Sequence, residues 1–298
     1  STIDYNEFIP DADRRWNYSR YKTKQTQIYK VITAVGEWKS PAVVAFAEIE
    51  NRSVLDDLLN HTPLWIYHYQ VVHFESIYHR GIDGGLIYNE NQVELIDAKK
   101  VRYRNTNGTP LATRDILYAK LLLSDVTVHL FVNHWPSRYG GTLQSAPLRR
   151  LAASVLRKKV DSICDAVHQP KILIMGDFND EPDNTSVLTT LNTTDNAKTI
   201  SNEQLFNAMS RLNEKKKGSY CFRGTWNMLD QIMINNSLMD GKSWDYVANS
   251  AKIRDDKWLK QASGDYKNYP LRSFGGKTYL AGYSDHLPVY VILKRSAD

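Results

Sequence analysis

Apolar residues recur along this chain in two rhythms. Between residues 26 and 38, Ile28, Val31, Ile32 and Val35 fall at helical spacing, and the pattern stops near Gly36 and Pro41. The unbroken apolar run at 42–47 predicts a buried strand that leaves the core at Glu48-Ile49-Glu50-Asn51. A short helix is predicted over 53–61, strands around 65–74 and 85–88, and a loop over 104–114. Residues 118–123 and 127–132, joined by Ser124-Asp125, predict a β-hairpin. The clearest helix spans 147–167: Leu148, Leu151, Ala152, Val155, Leu156, Val160, Ile163, Cys164 and Val167 form one stripe. Arg149, Arg150, Arg157, Lys158 and Asp161 fall largely opposite and predict a solvated face. Strands are predicted again at 171–175, 229–234 and 289–293. The Gly-containing, aromatic-rich stretch 236–285 suits loops around a rim.

Composition narrows the class. Hydrophobic content of 42% in 298 residues supports a sizeable core and excludes a disordered chain. Seven Trp and eighteen Tyr fit a large mixed body. There is no repeat, low-complexity tract or linker, so one domain over 1–298 is the simpler reading. Two cysteines, Cys164 and Cys221, exclude a disulfide scaffold and a Cys-based zinc site. A net charge of +5 leans mildly toward a polyanionic partner. No apolar run nears the roughly 18 residues needed to cross a bilayer. The start at Ser1, with neither initiator Met nor signal peptide, reads as a processed or trimmed chain and leaves the compartment open, a secreted or periplasmic location being one option.

Chemistry gathers at strand ends. Gly176-Asp177-Phe178-Asn179 follows the run Ile172-Leu173-Ile174-Met175, so a buried strand delivers a carboxylate and a carboxamide to its end. If the extended geometry persists, Asp177 and Asn179 point to one face. The bland alternative is a strand-to-turn exit. Glu48 ends the first apolar strand, Asn133-His134-Trp135-Pro136-Ser137-Arg138 ends the hairpin, Leu229-Asp230-Gln231 opens a strand, and Ser284-Asp285-His286-Leu287-Pro288 precedes the last. Each alone is readily a turn, cap or structural residue; jointly they suggest a site. Carboxylates such as Glu48 and Asp285 suit Mg²⁺, Mn²⁺ or Ca²⁺ rather than zinc. There is no Gly-x-Ser-x-Gly elbow and no His-Glu-x-x-His, and Gly276-Lys277-Thr278 lacks the first Gly of a phosphate loop because Leu271 stands there.

These pieces, in this order, resemble the endonuclease/exonuclease/phosphatase superfamily, the pancreatic deoxyribonuclease-like proteins, and in their fuller forms a bacterial branch of it. The resemblance implies an α/β fold: a four-layer sandwich of two mixed, mostly antiparallel sheets packed face to face with helices outside. It implies that Glu48 binds a divalent ion, Mg²⁺ first, and that Asp285 holds a metal-bound water or second ion. Asp177 would orient or deprotonate the attacking water, Asn179 would donate to a phosphoryl oxygen, His134 would contact the phosphate, and His286 paired with Asp230 would stabilise charge on phosphorus. One feature departs from the pattern. The family's first strand ends in a metal-binding Asn, and here Asn6 sits in no apolar strand, so it is not given that role.

The reading is a Mg²⁺-dependent phosphoesterase, with a nuclease-type phosphodiesterase leading and nucleic acid as a partner. Arg138, Arg272, Trp135 and Tyr139 are the residues proposed to meet phosphates or bases. A phosphomonoesterase or lipid phosphodiesterase is the alternative within the superfamily. A non-catalytic binding domain on the same scaffold is the alternative outside it.

Overall fold

The computed structural model describes residues 8–37, 39–78, 80–104 and 107–296. Asn6 lies outside the described residues. The first half of the chain runs through helix α1 (Tyr18–Gly36), strand β1 (Val43–Ile49), helix α2 (Arg52–Asn60) and strands β2 (Tyr69–His73) and β3 (Asp83–Asn89). Strands β4 (Glu94–Val101), β5 (Ile116–Leu123) and β6 (Val126–His134), helix α3 (Thr142–Ala166) and strand β7 (Lys171–Asp177) follow. The remainder is built of short pieces: β8 (Thr193–Thr194), β9 (Leu205–Asn207), α4 (Ser210–Glu214), β10 (Tyr220–Phe222), β11 (Thr225–Asn227) and β12 (Asp230–Asn235). After them come β13 (Trp244–Tyr246), β14 (Lys252–Ile253), β15 (Phe274–Gly275), β16 (Thr278–Tyr279), β17 (Val289–Tyr290) and β18 (Leu293–Arg295).

The large sheet has seven strands in the order β4-β5-β6-β7-β12-β9-β8. It is mixed: β6 pairs with β7 and β8 with β9 in parallel, and the other neighbours are antiparallel. A parallel pair needs a crossover between its strands, and α3 supplies it between β6 and β7. A smaller antiparallel sheet runs β1-β3-β2, with β1 at its edge.

Alternation along the strands explains how the layers stack. Ile116, Tyr118, Phe131, Ile172 and Ile174 face Ala152, Leu156 and Val160 of α3. Their neighbours Leu117, Ala119, Leu130, Val132 and Leu173 join Leu86 and Val72 of the smaller sheet in a second cluster. In a third, Ile87 and Val71 meet Ile32 of α1 and Leu55 and Leu58 of α2. The order is therefore helix, sheet, sheet, helices. Central strands buried on both faces are largely apolar, which is why β7 reads as the unbroken apolar run 172–175. Leu86 and Ile87 are both fully buried, on opposite faces of β3. Burying such a side chain contributes roughly 1.5–3 kcal/mol.

The elements depart from the sequence reading where polar contacts decide. Helix α1 begins at Tyr18 rather than near residue 26, because the Asn17 side chain caps it by accepting from the Arg20 N–H at 3.1 Å. Its first turns dock through hydrogen bonds: Tyr21 Oη donates to Asp57 at 2.7 Å, and Gln25 Nε2 to the Val54 carbonyl at 3.1 Å. Apolar periodicity is blind to that kind of packing. Residues 63–67 form a 3₁₀ turn rather than strand, started by Pro63 and by Thr62, whose hydroxyl accepts from the Leu64 N–H. Strand β4 was not anticipated, being half-exposed and bulged between Leu95 and Asp97. The last predicted strand is split into β17 and β18.

Arg149 corrects the solvated-face reading of α3. It is fully buried: Nε lies 2.7 Å from Asp180 Oδ1, and its other nitrogens donate to Ser145 Oγ at 2.8 Å and the Thr142 carbonyl at 2.9 Å. No helix among the described residues is long and apolar enough to cross a membrane.

Candidate active site

Three adjacent strands of the large sheet bring His134, Asp177 and Asp230 into one row. In the parallel β6–β7 pair His134 stands opposite Asp177, and in the antiparallel β7–β12 pair Asp177 stands opposite Asp230. Residues scattered along the sequence thus become lateral neighbours by strand register alone. Gly176 makes the close approach possible. It sits at φ +138°, and a Cβ there would lie 1.9 Å from the Asn133 carbonyl oxygen.

His286 enters from the segment before β17. It bridges to Tyr220 of β10, and the next residue, Leu287, donates its N–H to the Ser219 carbonyl at 2.7 Å. The Ser219 hydroxyl accepts from the Asp230 N–H at 3.1 Å, so one serine positions both partners. His286 Nδ1 then lies 2.6 Å from Asp230 Oδ2, and its ring packs 4.8 Å from that of Tyr220. Asp177, Asp230 and His286 each present a ligand-capable atom within 4.8 Å of the others.

The electrostatics separate these groups. Burial pushes the Asp177 carboxyl up; the His286 charge opposes this and the Asp230 charge adds to it, leaving Asp177 at about 7. Burial alone would pull His286 down. The charge and hydrogen bond of Asp230, with Asp177 and Asp285 behind them, outweigh burial and push it up to about 10. His134 behaves oppositely: burial, then the charges of Arg114, His286 and Arg80, hold it well below the ordinary imidazole range. Its Nε2 is 3.6 Å from Asp177 Oδ2, beyond hydrogen-bond distance, and its Nδ1 has no hydrogen-bond partner among the described residues.

Asn179 reaches Asp177 by a route other than the extended one expected. The chain turns at φ +51°; the Asn179 N–H donates to Asp177 Oδ1 at 2.8 Å, and its Nδ2 donates to Asp177 Oδ2 at 3.1 Å and to the Trp135 carbonyl at 3.0 Å. This is the turn chemistry of Asn rather than the two-residue repeat of a strand. Both amide protons are engaged, so a contact with substrate requires exchanging one of them.

Glu48 and Asp285 are exposed carboxylates on the flank of this row. Glu48 sits at φ +61° in a bulge of β1 between Phe46 and Ile49. Both act electrostatically on the Lys24 ammonium of α1, which donates to the Tyr283 carbonyl and, at 3.2 Å, to Ser273 Oγ. Arg138 is tied to the back of the site: it donates to the Asn179 carbonyl at 2.7 Å and to Asn227 Oδ1 at 3.1 Å. Arg272 lies with its guanidinium 5.7 Å from the Tyr266 ring centroid, and its charge bears on Tyr220. Tyr139 is 92% exposed, whereas Trp135 is fully buried edge-on to Phe178, so no base can stack on Trp135.

Sequence reasoning missed Arg114. It lies in a stretch read as loop, yet it is buried and donates from Nε to the His134 carbonyl at 3.2 Å and from Nη2 to the Trp135 carbonyl at 2.9 Å. Lys24 was missed as well, and neither carries any local pattern that marks it.

The donor set bears on whether an ion fits. An imidazolium has no lone pair to give, so His286, charged through its pair with Asp230, is a poor ligand. Glu48 and Asp285 offer free carboxylate oxygens, which suit a hard divalent ion.

Among solved structures that share this fold is a humanized D. rerio TDP2, at 12% identity and TM-score 0.61, covering 93% of this chain and 94% of that one. The human Nocturnin catalytic domain, with bound sulfate, matches at 15% identity and TM-score 0.58, covering 94% and 87%. A Bacteroides thetaiotaomicron mannosyl-6-phosphatase matches at 13% identity and TM-score 0.57, covering 93% and 94%. At such identities the likeness is one of fold. No curated protein matches the chain. The sequence profile of the endonuclease/exonuclease/phosphatase family, however, matches residues 1–295. Family, fold and the clustered carboxylates and imidazoles agree on a phosphoesterase, and the chain belongs to the endonuclease/exonuclease/phosphatase family.

Proposed function

We propose that this chain is a divalent-metal-dependent phosphodiesterase of nuclease type. The observation that carries the reading is the Asp177–Asp230–His286 cluster, in which a carboxyl poised at about 7 faces an imidazole held protonated to about 10. A general base works best when its pKa lies near the working pH, and Asp177 meets that condition. Asp177 takes the proton of the attacking water. As negative charge grows on the phosphoryl oxygens, the His286 imidazolium attracts the transition state more than the ground state. Asp230 keeps that imidazole charged and aimed. Neutral His134 offers a hydrogen bond to the phosphate without adding a second cation beside the base. Glu48 and Asp285 would hold a divalent ion, Mg²⁺ or else Mn²⁺ or Ca²⁺, which when bound supplies Lewis-acid stabilisation of the phosphoryl oxygens. Arg272 at the rim and the overall charge of +5 favour a polyanion such as nucleic acid.

The test is a hydrolysis panel with and without Mg²⁺ or Mn²⁺: supercoiled plasmid, abasic duplex, RNA, inositol phosphates, sphingomyelin and a chromogenic diester, with His286→Ala as the blank. Turnover of nucleic acid or the diester that needs the ion and is lost in the blank is expected. Cleavage of inositol phosphates alone would move the assignment to a phosphomonoesterase. Titration calorimetry with Mg²⁺ should show heat in wild type and none in Glu48→Ala; no turnover and no difference between the two would leave a binding domain.

A further inference from the structure

A cavity of about 260 Å³ opens past the end of β6, on the α3 side of the large sheet, and takes no part in the chemistry above. We propose that it seats one flat aromatic ring of the substrate, a ring bearing a hydrogen-bonding group. The proposal rests on the phosphoesterase reading and deepens it by naming what is attached to the phosphate.

The walls set the chemistry. Leu111, Leu148 and Leu151 give aliphatic surface, and Tyr78 and the exposed Tyr139 add aromatic rings to the lining. One polar atom stands out: Tyr103 is 2% exposed, lines the cavity, and its hydroxyl has no hydrogen-bond partner among the described residues. A buried hydroxyl left unpaired is costly, and a ligand that pairs with it removes that cost. Burial pushes the phenol up, so it stays protonated and can donate. A hydrated sugar would need several polar partners, and this lining is mostly apolar. Pockets for drug-sized ligands run from about 300 Å³ upward, so this space suits one ring system.

The cavity is also joined to the centre. Arg114 lines it, with its guanidinium carbon 4.8 Å from the Tyr78 ring centroid. The Trp135 carbonyl accepts from Arg114 Nη2 at 2.9 Å and from Asn179 Nδ2 at 3.0 Å. A single carbonyl oxygen therefore separates the cavity wall from the residue bound to Asp177. The route from the centre to this space runs around the end of β6, where Arg114, Pro136 and Ser137 line the cavity, and on this proposal the ring belongs either to a nucleobase or to an aryl ester group of the same substrate.

Two variants test this. Tyr103→Phe removes only the hydroxyl; Leu148→Trp fills the space from a side chain already 51% exposed, which spares the fold. Binding of 2-aminopurine riboside and of p-nitrophenol, followed by fluorescence and by absorbance, needs no turnover. At least one should bind wild type about tenfold to a hundredfold more tightly than either variant. In kinetics, kcat/KM is compared among dithymidine phosphate, p-nitrophenyl methyl phosphate and a dinucleotide carrying tetrahydrofuran in place of both bases. The ratio of ring-bearing to ring-free substrate should fall at least about tenfold in Leu148→Trp. A fall for the dinucleotide alone assigns the ring to a nucleobase; a fall for the nitrophenyl ester alone assigns it to an aryl group. Unchanged ratios or unchanged binding in both variants overturn the proposal. If no substrate turns over while ligand binding still tracks the variants, the cavity assignment stands and the phosphoesterase reading fails.

Discussion

Replacing Asp230 by Asn tests the proposed division of labour most directly. The carboxamide keeps the size and an acceptor oxygen for His286 Nδ1, and it removes the charge. In the native site the contact is 2.6 Å and both side chains are under a quarter exposed, at 24% for His286 and 19% for Asp230. A hydrogen bond to a charged group contributes roughly 1.5–3 kcal/mol, and two charges 4 Å apart near a surface interact by about 4 kcal/mol. Losing the charge while keeping the bond should therefore cost about 2–4 kcal/mol of imidazolium stabilisation, or roughly 30- to 1,000-fold at 1.4 kcal/mol per decade. Only Asp177 and Asp285 then oppose burial, and the imidazole sheds its proton far below its native value of about 10. Two measurements follow. The His286 Cε1–H resonance should titrate far below its position in the native protein. The kcat/KM for a chromogenic diester should fall about 4- to 90-fold at pH 9, where most variant imidazoles have lost the proton that the native ring keeps, and hardly at all at pH 6, where the variant imidazole regains it. A loss equal at both pH values, or a loss under about threefold at pH 9, would refute the role given to the pair.

Three further outcomes are expected. In wild type, kcat/KM should rise as Asp177 loses its proton near pH 7 and fall as His286 loses its own near pH 10, because the base must be free and the imidazole charged; an optimum below pH 6 contradicts this. Gly176→Ala should lower stability by about 3 kcal/mol in urea unfolding, since its Cβ would meet the Asn133 carbonyl at 1.9 Å and φ is +138°; unchanged stability would mean that β6 and β7 are not paired as described. Arg149→Met should cost roughly 3–5 kcal/mol by stranding the buried Asp180 charge, and adding Asp180→Asn should recover much of it; a loss under about 1 kcal/mol would refute the buried pair.

What could be read in the sequence follows a physical line. Strands β6 and β7 were legible because they are buried on both faces, which makes their local sequence largely apolar: residues 172–175 are an unbroken run, and β6 is broken in its middle only by Thr127 and by His129, which pairs with the Tyr118 hydroxyl. The polar residues that end those runs were legible for the same reason: Asn133-His134 and Gly176-Asp177 interrupt a pattern that admits few interruptions. Arg149 was not, because an arginine on the polar side of a helix looks the same whether it meets water or Asp180, thirty-one positions on. Lys24 and Arg114 depend on carbonyls supplied by distant segments, Tyr283 for one and His134 and Trp135 for the other. Asn179 shows a subtler limit. Its nearness to Asp177 was foreseen, but the extended geometry invoked for it gives way to an Asn-specific turn, and the two routes aim the carboxamide differently.

The two histidines make the same point about chemistry. His134 and His286 approach Asp177 from neighbouring strands and segments, yet they hold opposite protonation states. No property of imidazole distinguishes them; their neighbours do. His286 has a carboxylate at 2.6 Å, whereas His134 has Arg114 under its own carbonyl and Asp177 only at 3.6 Å. On the proposed mechanism this asymmetry protects the base. Were both rings charged, two cations would face Asp177, its carboxyl would be driven well below about 7, and it would lose the basicity needed to draw a proton from water. With one ring charged, Asp177 is ionised at working pH and still basic. On that mechanism Arg114 would serve the chemistry without touching a reacting atom: beside the burial that dominates, its charge disfavours a proton on His134 while its hydrogen bonds fix the two carbonyls that follow one another at the end of β6.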